Sequence, residues 1–479
     1  MRKVFLLLLL TFVLVESCKR LDIQSFSEQP TYDRVIQEIS ETKAAIRGES
    51  DNFTVSINDA RCYLAFHRPD ESYTISPYIE SGDTLLYVVN FKEGWMILSR
   101  DRRTVPVIAE NFEGSLEINP DSGYNVWLRL FNENLAVMKE DRSFGENDYT
   151  KLWNAILPRK SEKESNNRYG EWKWVIREGM FGEHTTVIDT IPQMVQTKWG
   201  QQAPWNNNYP IDLTDIYPNN TNNNKCYVGC VAVAIAQVLH YWHNQFGFPT
   251  QLSHTVSCSS TVYGPSTNIG FSRGDITNNS TRWDDMALSA SSGGNTTYVG
   301  DLMLDIGKMA NMVYAGYGSG AILSTALAAV AQYYGLGLYS SSSYSEAVVK
   351  DRLFNGYPVL ISGQAIINSS IRHAWIINGF YIERQNYSMF RYCEYSCDWG
   401  PDDEVYDTLA EAQAVYGFSG PYDFKPFTRI IDNERFLMNW GEDGVGDGIF
   451  LCSGAWPCSA YGYNFSPYYT IEIGGFYNL

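Results

Sequence analysis

The segment from Cys226 to Leu239 places the strongest constraint on how this chain folds. It reads Cys-Tyr-Val-Gly-Cys-Val-Ala-Val-Ala-Ile-Ala-Gln-Val-Leu. Gly229 supplies backbone freedom immediately before the apolar run. The small side chains at alternate positions allow a helix there to pack closely against a neighbour. We therefore predict a packed helix from Cys230 to about Tyr241, with the cysteine in its first turn.

A cysteine in the first turn of a helix is set up for chemistry. Unpaired N–H groups and the helix dipole favour negative charge there, which lowers the thiol pKa and raises the thiolate fraction. The alternative interpretation is a buried cysteine that merely begins an apolar helix. A nucleophilic thiol also requires an imidazole to share its proton and a group that orients the imidazole.

Both partners can be proposed from the remaining sequence. His373 begins a short apolar run, Ala-Trp-Ile-Ile, and Asn439 ends another apolar run just before a glycine-rich loop. A neutral Asn can accept from one ring nitrogen and fix the imidazole tautomer. The order Cys230, His373, then Asn439-Trp440 is typical of papain-like cysteine peptidases.

Four motifs in this order resemble a known family. They are Trp-Gly-Gln-Gln-Ala-Pro at 199–204, the Gly-Cys helix start at 229–237, His-Ala-Trp at 373–375 and Asn-Trp-Gly at 439–441. Together they resemble the streptopain family of cysteine peptidases, which includes interpain-like enzymes. The resemblance covers roughly residue 195 to the C-terminus and implies an exported bacterial peptidase with a papain-like fold.

The resemblance also implies a role for each matching residue. Cys230 would be the nucleophile and His373 its general acid/base. Asn439 would orient the imidazole, and Trp440 would shield that contact. Gln201 would donate a hydrogen bond to the oxyanion, together with the Cys230 backbone N–H.

One departure from the family pattern concerns charge. After Asn-Trp-Gly the family usually has Trp-Gly-Gly, whereas this chain has Glu442-Asp443-Gly444. No catalytic group is lost, but two acidic side chains are added to a loop that we expect to border the substrate cleft. Substrate preference is therefore left open.

The N-terminus has the pattern of an export signal. Arg2 and Lys3 precede an apolar run from Val4 to Val15, which is too short to span a bilayer and is typical of a signal peptide. The run ends just before Ser17-Cys18, which resembles a lipoprotein cleavage site. We expect an exported protein anchored through a lipid on Cys18, located at the bacterial cell surface or outer membrane or released from it. The alternative is plain secretion with an incidental cysteine.

Four segments are predicted in an α+β protein. Residues 1–18 form the signal peptide, 19–120 a small α+β inhibitory propeptide, 121–195 a helical segment with an exposed connector, and 196–479 a papain-like catalytic domain of two subdomains. Short β-like runs are expected between Phe53 and Glu117. The stretch 94–109 resembles the family's prodomains, which implies that the chain is a zymogen inhibited by its own N-terminal region. The alternative is a binding module unrelated to the site.

Composition limits the partners. The net charge is −18 and no Lys/Arg cluster occurs, which argues against nucleic acid. No cofactor or metal is expected, because His240 and His243 share a helix face without a third ligand at suitable spacing. The expected partners are protein or peptide substrates, the N-terminal region as inhibitor and a membrane through the lipid.

Two cysteine pairs and two other functions remain open. Cys393/Cys397 and Cys452/Cys458 could be local disulfides or buried thiol pairs, and we interpret them as structural. The competing functions are a transglutaminase-like acyl transferase, which usually has Asp as the third residue, and a catalytically silent surface or adhesion protein on the same fold.

Overall fold

The computed structural model contains both helices and strands, and the predicted α+β class is confirmed. It describes residues 26–27, 53–80, 83–118, 124, 128, 131, 135, 145, 147–157, 171–212, 225–247, 260–262, 269–271, 281–315, 318–341, 344–365, 372–397, 399, 403–451 and 469–477. The signal peptide, Cys18 and the charged connector at 158–168 lie outside these residues, so their predictions are untested.

The described residues from 53 to 157 form what we call the N-terminal unit, an antiparallel sheet with helices against it. The predicted β-like runs of this region are found as strands, but a helix also begins there after Ser56, which was missed. Ser56 and Asp59 form a capping box, a signal that the sequence does contain. Its elements, with a short strand before it, are β1 (Phe26–Ser27), α1 (Ile57–His67), β2 (Tyr73–Glu80), β3 (Asp83–Phe91), β4 (Trp95–Ser99), β5 (Val107–Asn111) and α2 (Asp148–Ile156).

The predicted segment 121–195 is not one structural piece. Its helical character is found at four buried positions, Tyr124, Leu128, Phe131 and Leu135, and in α2. Beyond the connector, however, Lys173–Ile191 forms the 19-residue strand β6, which pairs along most of its length with strand β12 (Arg372–Ser396). Of the 19 residues of β6 only Val175 and Ile176 are buried, so the strand lacks the apolar alternation by which strands are recognised.

The remaining elements alternate between helices and strands. The predicted helix at Cys230 is found and extends further than expected, to Phe246, where Gly247 ends it in the left-handed conformation. These elements are α3 (Cys230–Phe246), β7 (Ser260–Val262), β8 (Ile269–Phe271), α4 (Thr281–Asp284), α5 (Thr296–Met309), β9 (Val313–Tyr314), α6 (Leu323–Tyr334), β10 (Gly337–Ser341), α7 (Glu346–Phe354), β11 (Val359–Ala365), β12, β13 (Val405–Tyr406), α8 (Leu409–Tyr416), β14 (Lys425–Asn439), β15 (Gly448–Leu451) and β16 (Tyr469–Tyr477).

One sheet runs through both parts of the molecule. Its strand order is β1-β2-β3-β4-β5-β15-β14-β12-β11-β16-β10, with β6 beside the far end of β12. The junction is the antiparallel pairing of β5 with β15, which aligns Ala109 with Phe450. The N-terminal unit therefore continues the sheet of the C-terminal part.

The C-terminal part divides into a helical half and a sheet half, as a papain-like fold requires. The helical half has its own apolar core around α3, α5 and α6, and the sheet contributes a second core on its other face. Helix α3 packs against β12, so the start of the helix and the start of the strand come together between the two halves.

Two further observations concern the described residues only. No helix among them is long and apolar enough to cross a membrane. Among the cysteines that can be placed, Cys226, Cys230, Cys393 and Cys397 are free thiols. Cys393 and Cys397 therefore do not form the local disulfide that was one of the two options, while Cys452 and Cys458 lie outside the described residues.

Candidate active site

Cys230 is the first residue of α3, as predicted. Gly229 precedes it with φ of 92°, and a Cβ on that glycine would collide with the Met312 side chain and the Ser319 carbonyl. Only glycine fits this junction, which presents the thiol at the N-terminal end of the helix. The side chain is nearly enclosed, with 9% of Cys230 exposed.

His373 faces Cys230 from the start of β12. The imidazole forms a side-chain hydrogen bond with the thiol, and the backbone N–H groups of Val231 and Ala374 also donate to the sulfur. Only 5% of His373 is exposed. The two predicted residues, far apart in the chain, are therefore in direct contact in a nearly dry site.

The contact changes the pKa of both groups. Burial alone raises the pKa of the Cys230 thiol, but the charge and hydrogen bond of His373 outweigh burial and lower it. Burial likewise disfavours the charged imidazole, yet the Cys230 thiolate, the Glu442 carboxylate and the Trp440 carbonyl raise the pKa of His373 to about 9. Both shifts favour a thiolate–imidazolium pair at neutral pH.

The second nitrogen of the imidazole is held by a backbone carbonyl. His373 Nε2 lies 2.9 Å from the carbonyl oxygen of Trp440. A carbonyl can only accept, so Nε2 carries a proton and Nδ1 is left to face the thiol. The indole of Trp440 is buried and packs on Trp375, with ring centroids 5.0 Å apart.

The role predicted for Asn439 requires correction. Its side chain does not orient the imidazole: Asn439 Oδ1 accepts from Gln237 Nε2 and from the Gly441 N–H, both at 3.0 Å. Its Nδ2 donates to the Thr197 carbonyl at 2.8 Å. Asn439 therefore anchors the end of β14 to α3, and the neighbouring carbonyl takes the imidazole.

Gln237 lies within the predicted helix, and no role was predicted for it. It lies two turns after Cys230 on α3 and is fully buried. Its Oε1 accepts from the Thr197 hydroxyl at 2.9 Å, which ties a third segment to the same point. The position was visible in sequence as a polar residue inside an apolar helix, a pattern that predicts a buried hydrogen-bonding partner.

Residues 440–447, which we call the 440–447 loop, close back on themselves. The Trp440 N–H donates to the buried carboxyl of Asp447 at 2.8 Å. Because this bond fixes the Trp440 peptide, it also fixes the direction of the carbonyl that holds His373. Asp447 was not predicted as a site residue.

Glu442 lies beside the imidazole. Its Oε1 is 4.0 Å from His373 Nε2, and 17% of its side chain is exposed. The next residue, Asp443, points elsewhere and accepts from the indole N–H of Trp205 at 2.5 Å. Glu442 and Asp443 thus have different surroundings.

Gln201 is close to the site in the chain path. Its carbonyl accepts from the Val228 N–H at 3.0 Å, two residues before Cys230, and its side chain is half-buried. The flanking residue Trp199 contacts the 440–447 loop, since its carbonyl accepts from the Asp443 N–H at 3.2 Å. The 199–204 motif is therefore brought to the site, although no side-chain contact assigns the role of Gln201.

The N-terminal unit contacts the 440–447 loop directly. Asn111 Nδ2 donates to the Asp447 carbonyl at 2.6 Å, and the Tyr124 ring lies edge-on to Trp440 with centroids 6.4 Å apart. Lys198 and Glu113 form a more exposed contact of 3.6 Å nearby. The unit is thus attached to the loop that positions the imidazole.

The two histidines considered as metal ligands have ordinary contacts. The His240 ring lies edge-on to Trp199, and His243 stacks on Trp283. Among the residues that the structure describes, no group of three His, Cys, Asp or Glu side chains could hold a metal ion.

The chain was compared with known proteins. A model described as the peptidase C10 family matches residues 199–450, which is more than half of the chain. No curated protein sequence matches.

Two solved structures from Prevotella intermedia are similar. A prointerpain A fragment is 19% identical, with 84% of this chain and 98% of that chain covered and a TM-score of 0.49. Active wild-type interpain A cysteine protease is 21% identical, with 60% and 95% covered and a TM-score of 0.37.

Proposed function

The chain belongs to the peptidase C10 family and is a cysteine-type peptidase, and from this premise we propose that Cys230 is its nucleophile and His373 its general acid/base. The observation that carries this proposal is the hydrogen bond between the thiol and the imidazole, with Nε2 held by the Trp440 carbonyl. Hydrolysis of an amide bond by a cysteine nucleophile requires such a thiolate–imidazolium pair, and a helix N-terminus favours the thiolate.

In the first half of the reaction the Cys230 thiolate attacks the scissile carbonyl carbon of a bound peptide. The Cys230 N–H, which points out of the first turn of α3, and the side chain of Gln201 stabilise the oxyanion. Nδ1 of His373 then protonates the leaving amine. The C–N bond breaks and the acyl group remains on Cys230 as a thioester.

In the second half, water replaces the amine. Neutral His373 accepts a proton from water through Nδ1, and the hydroxide attacks the thioester carbonyl. The second tetrahedral intermediate uses the same oxyanion donors. Its collapse releases the carboxylic acid and restores the thiolate beside the imidazolium, so no cofactor is needed.

The enzyme is made as an endopeptidase zymogen whose N-terminal unit is the inhibitor. Support comes from the attachment of this unit to the 440–447 loop through Asn111 and Tyr124, and from its β5–β15 pairing. A tethered unit acts at high effective concentration until the connector is cut. Because β6 pairs with β12 from Lys173 onward, the cut lies before residue 173.

The zymogen is exported and anchored by a lipid on Cys18, at the bacterial cell surface or outer membrane, from which the mature enzyme is released. The sequence pattern at residues 1–18 supports this. Wild-type cells grown with labelled palmitate should yield a labelled protein in the membrane fraction, and the Cys18→Ser variant should be unlabelled. Equal labelling of the two proteins would remove the anchor from the proposal.

The nucleophile is tested with purified Cys18→Ser protein under mild reduction. The protein is left to process itself, and a second sample is nicked with trypsin at Arg159, Lys160 or Lys163, which the sequence predicts to be exposed. Each product is then assayed on casein. We expect the Cys230→Ala version to lose at least ~10³-fold in kcat/KM, because the nucleophile is absent.

A matched control separates this effect from general loss of a thiol. Cys226→Ala removes a buried thiol four residues earlier, whose pKa is raised to about 12 by burial and by Asp212. Its nicked product should keep casein hydrolysis within about threefold of the parent. Casein hydrolysis by the nicked Cys230→Ala protein at the parental rate would refute the nucleophile assignment.

The same assay distinguishes the peptidase from the two competing functions. A silent adhesion protein would leave casein intact in every nicked sample. A transglutaminase-like enzyme would join a small fluorescent amine to casein faster than it cut the chain. The contact between Cys230 and His373 favours a catalytic protein over a silent one. A carbonyl already accepts the hydrogen bond from His373 Nε2, so that nitrogen leaves no role for the Asp that transglutaminase-like enzymes usually have as the third residue.

A further inference from the structure

Glu442 is the one acidic side chain that the structure places beside the charged nitrogen of the site, among the residues described. Its Oε1 lies 4.0 Å from His373 Nε2, and only 17% of its side chain is exposed. The resemblance to the family implies a Trp at this position, so the carboxylate distinguishes this chain.

We propose that Glu442 is a positioning residue that acts through His373, holding the imidazolium in place beside the Cys230 thiolate. The inference rests on the proposed function and adds a positioning residue to the same site. Nε2 then has two neighbours on one loop. The Trp440 carbonyl accepts a hydrogen bond from it at 2.9 Å, and the Glu442 carboxylate balances the charge of the imidazolium.

Glu442 acts on His373 through its charge. A carboxylate 4 Å from an imidazolium stabilises the charged form, and the effect is large where little water intervenes. Glu442 contributes to the upward shift of the His373 pKa, alongside the Cys230 thiolate. The thiolate–imidazolium form, and with it activity, should therefore persist to a higher pH than in an otherwise identical site without Glu442.

The remaining charged groups around the imidazole have other roles or other partners. From α3 the facing group is the Cys230 thiol, the reaction partner itself. On the loop, Asp443 accepts from Trp205 and Asp447 accepts from the Trp440 N–H. Lys198 acts on Asp447, whose pKa it lowers.

The experiment compares Glu442→Gln with wild type in two ways. The first is the pH profile of kcat/KM for a fluorogenic peptide, measured on the trypsin-nicked enzyme. The upper limb should move down by roughly 1 pH unit, and the lower limb should stay in place. Glu442→Asp, which keeps the carboxylate, should lie closer to wild type.

The second measurement needs no peptidase activity. In a Cys230→Ala background the protein is labelled with ¹⁵N-histidine, and the His373 signal is assigned by its loss in His373→Gln. Its titration midpoint should fall by roughly 1 pH unit when Glu442→Gln is added. Asp443→Asn is the matched control, since it removes one negative charge from the next residue, and it should leave the midpoint unchanged.

The outcomes separate this inference from the proposed function. An active wild-type enzyme whose pH profile and His373 midpoint are the same in Glu442→Gln would overturn the inference and leave the function standing. So would an altered KM for substrates with basic residues at an unchanged pH profile, because Glu442 would then contact substrate. A lowered midpoint in protein that cuts no peptide would support the inference and refute the function.

Discussion

Asp447 is a carboxyl group that titrates near neutral pH inside the molecule. Burial raises its pKa to about 7, against the opposing effects of the Trp440 N–H and Lys198, while Glu442 and Asp443 add to the rise. The same carboxyl holds the Trp440 peptide at 2.8 Å. A single residue thus links the protonation state of the loop to the group that positions the imidazole.

We predict that Asp447→Asn stabilises the protein above neutral pH. The carboxyl binds its proton more tightly in the folded state, so wild type should lose stability as the pH rises from about 4 to about 7. The Asn side chain can still accept from Trp440 and does not titrate. Thermal unfolding in a Cys230→Ala background should show an advantage of on the order of 2 kcal/mol for Asn at pH 8 that vanishes near pH 4.

Asp432→Asn provides a control of opposite sign. Asp432 pairs with Arg384 on the surface, and this contact lowers its pKa. Its replacement should therefore cost a little stability above pH 4, and this cost should shrink as the pH falls further. If Asp447→Asn gave the same advantage at pH 4 and pH 8, the buried carboxyl would not be the titrating group.

The limits of sequence reasoning are clear at this scale. Cys230 and His373 could be predicted because their side chains carry the chemistry, and the structure brings them together. The partner of Nε2 could not, since every residue has a carbonyl and only the path of the 440–447 loop selects that of Trp440. Asn439 was misassigned because its amide suits an imidazole as well as it suits Gln237.

At the scale of elements, helix α3 lies between two glycines with different surroundings. Gly229 at the N-terminal end has φ of 92° and no room for a Cβ. Gly247 at the C-terminal end has φ of 67°, but open space surrounds it. Both glycines have a positive φ, which residues with a side chain disfavour. Only Gly229 also has neighbouring atoms that would collide with a side chain.

We predict that Gly229→Ala lowers both stability and activity. The added methyl group must displace Met312 or the Ser319 backbone, and Cys230 moves with the junction. We expect a loss of about 2–4 kcal/mol in unfolding free energy and at least ~10-fold in kcat/KM. Gly247→Ala should cost only about 1 kcal/mol and leave kcat/KM unchanged. Melting curves and casein kinetics on both variants check this, and equal effects would contradict it.

The elements themselves were predicted unevenly. Helix α3 and strands β2 to β4 have strong apolar patterns and were found where expected. Helix α1 was missed because its capping signal was not weighed against the strand-like runs around it. Strand β6 was missed for a physical reason: it gains its stability from pairing with β12, and much of its surface stays exposed, so its own sequence shows no buried face.

At the scale of the whole molecule, a buried ion pair connects the N-terminal unit to the catalytic sheet. Arg435 on β14 is 1% exposed and contacts Glu110 of β5 at 2.8 Å. Glu383 of β12 lies on its other side at 3.6 Å. If the unit departs, one partner of a buried guanidinium is lost, so the pair opposes release.

We predict that Glu110→Gln weakens the attachment of the N-terminal unit. The buried guanidinium of Arg435 then loses most of the negative charge that balances it. This loss should lower the unfolding free energy of the full chain by about 2–4 kcal/mol and speed conversion to the mature fragment. Glu113→Gln is the matched control, because the Glu113–Lys198 contact also crosses to the catalytic part but Glu113 is 81% exposed. It should change stability by about 0.5 kcal/mol or less.

Processing under mild reduction, followed by gel electrophoresis, measures the conversion rate. Equal rates for Glu110→Gln and Glu113→Gln would show that the buried pair does not restrain the unit. The sequence predicted a separate N-terminal region but not this arrangement. The pairing of β5 with β15 and the contact between Glu110 and Arg435 join residues far apart in the chain, which no local pattern reveals.

The continuous sheet has a consequence for the enzyme after its N-terminal unit has left. Strand β15 would keep β14 on one side and lose β5 on the other, so the backbone groups of Ile449 and Phe450 would face water. Phe450, now packed near Trp95, would lose that cover as well. A bare strand edge with an apolar neighbour is a site for aggregation. The N-terminal unit would therefore act as a built-in shield that keeps the protein soluble while it waits to be activated.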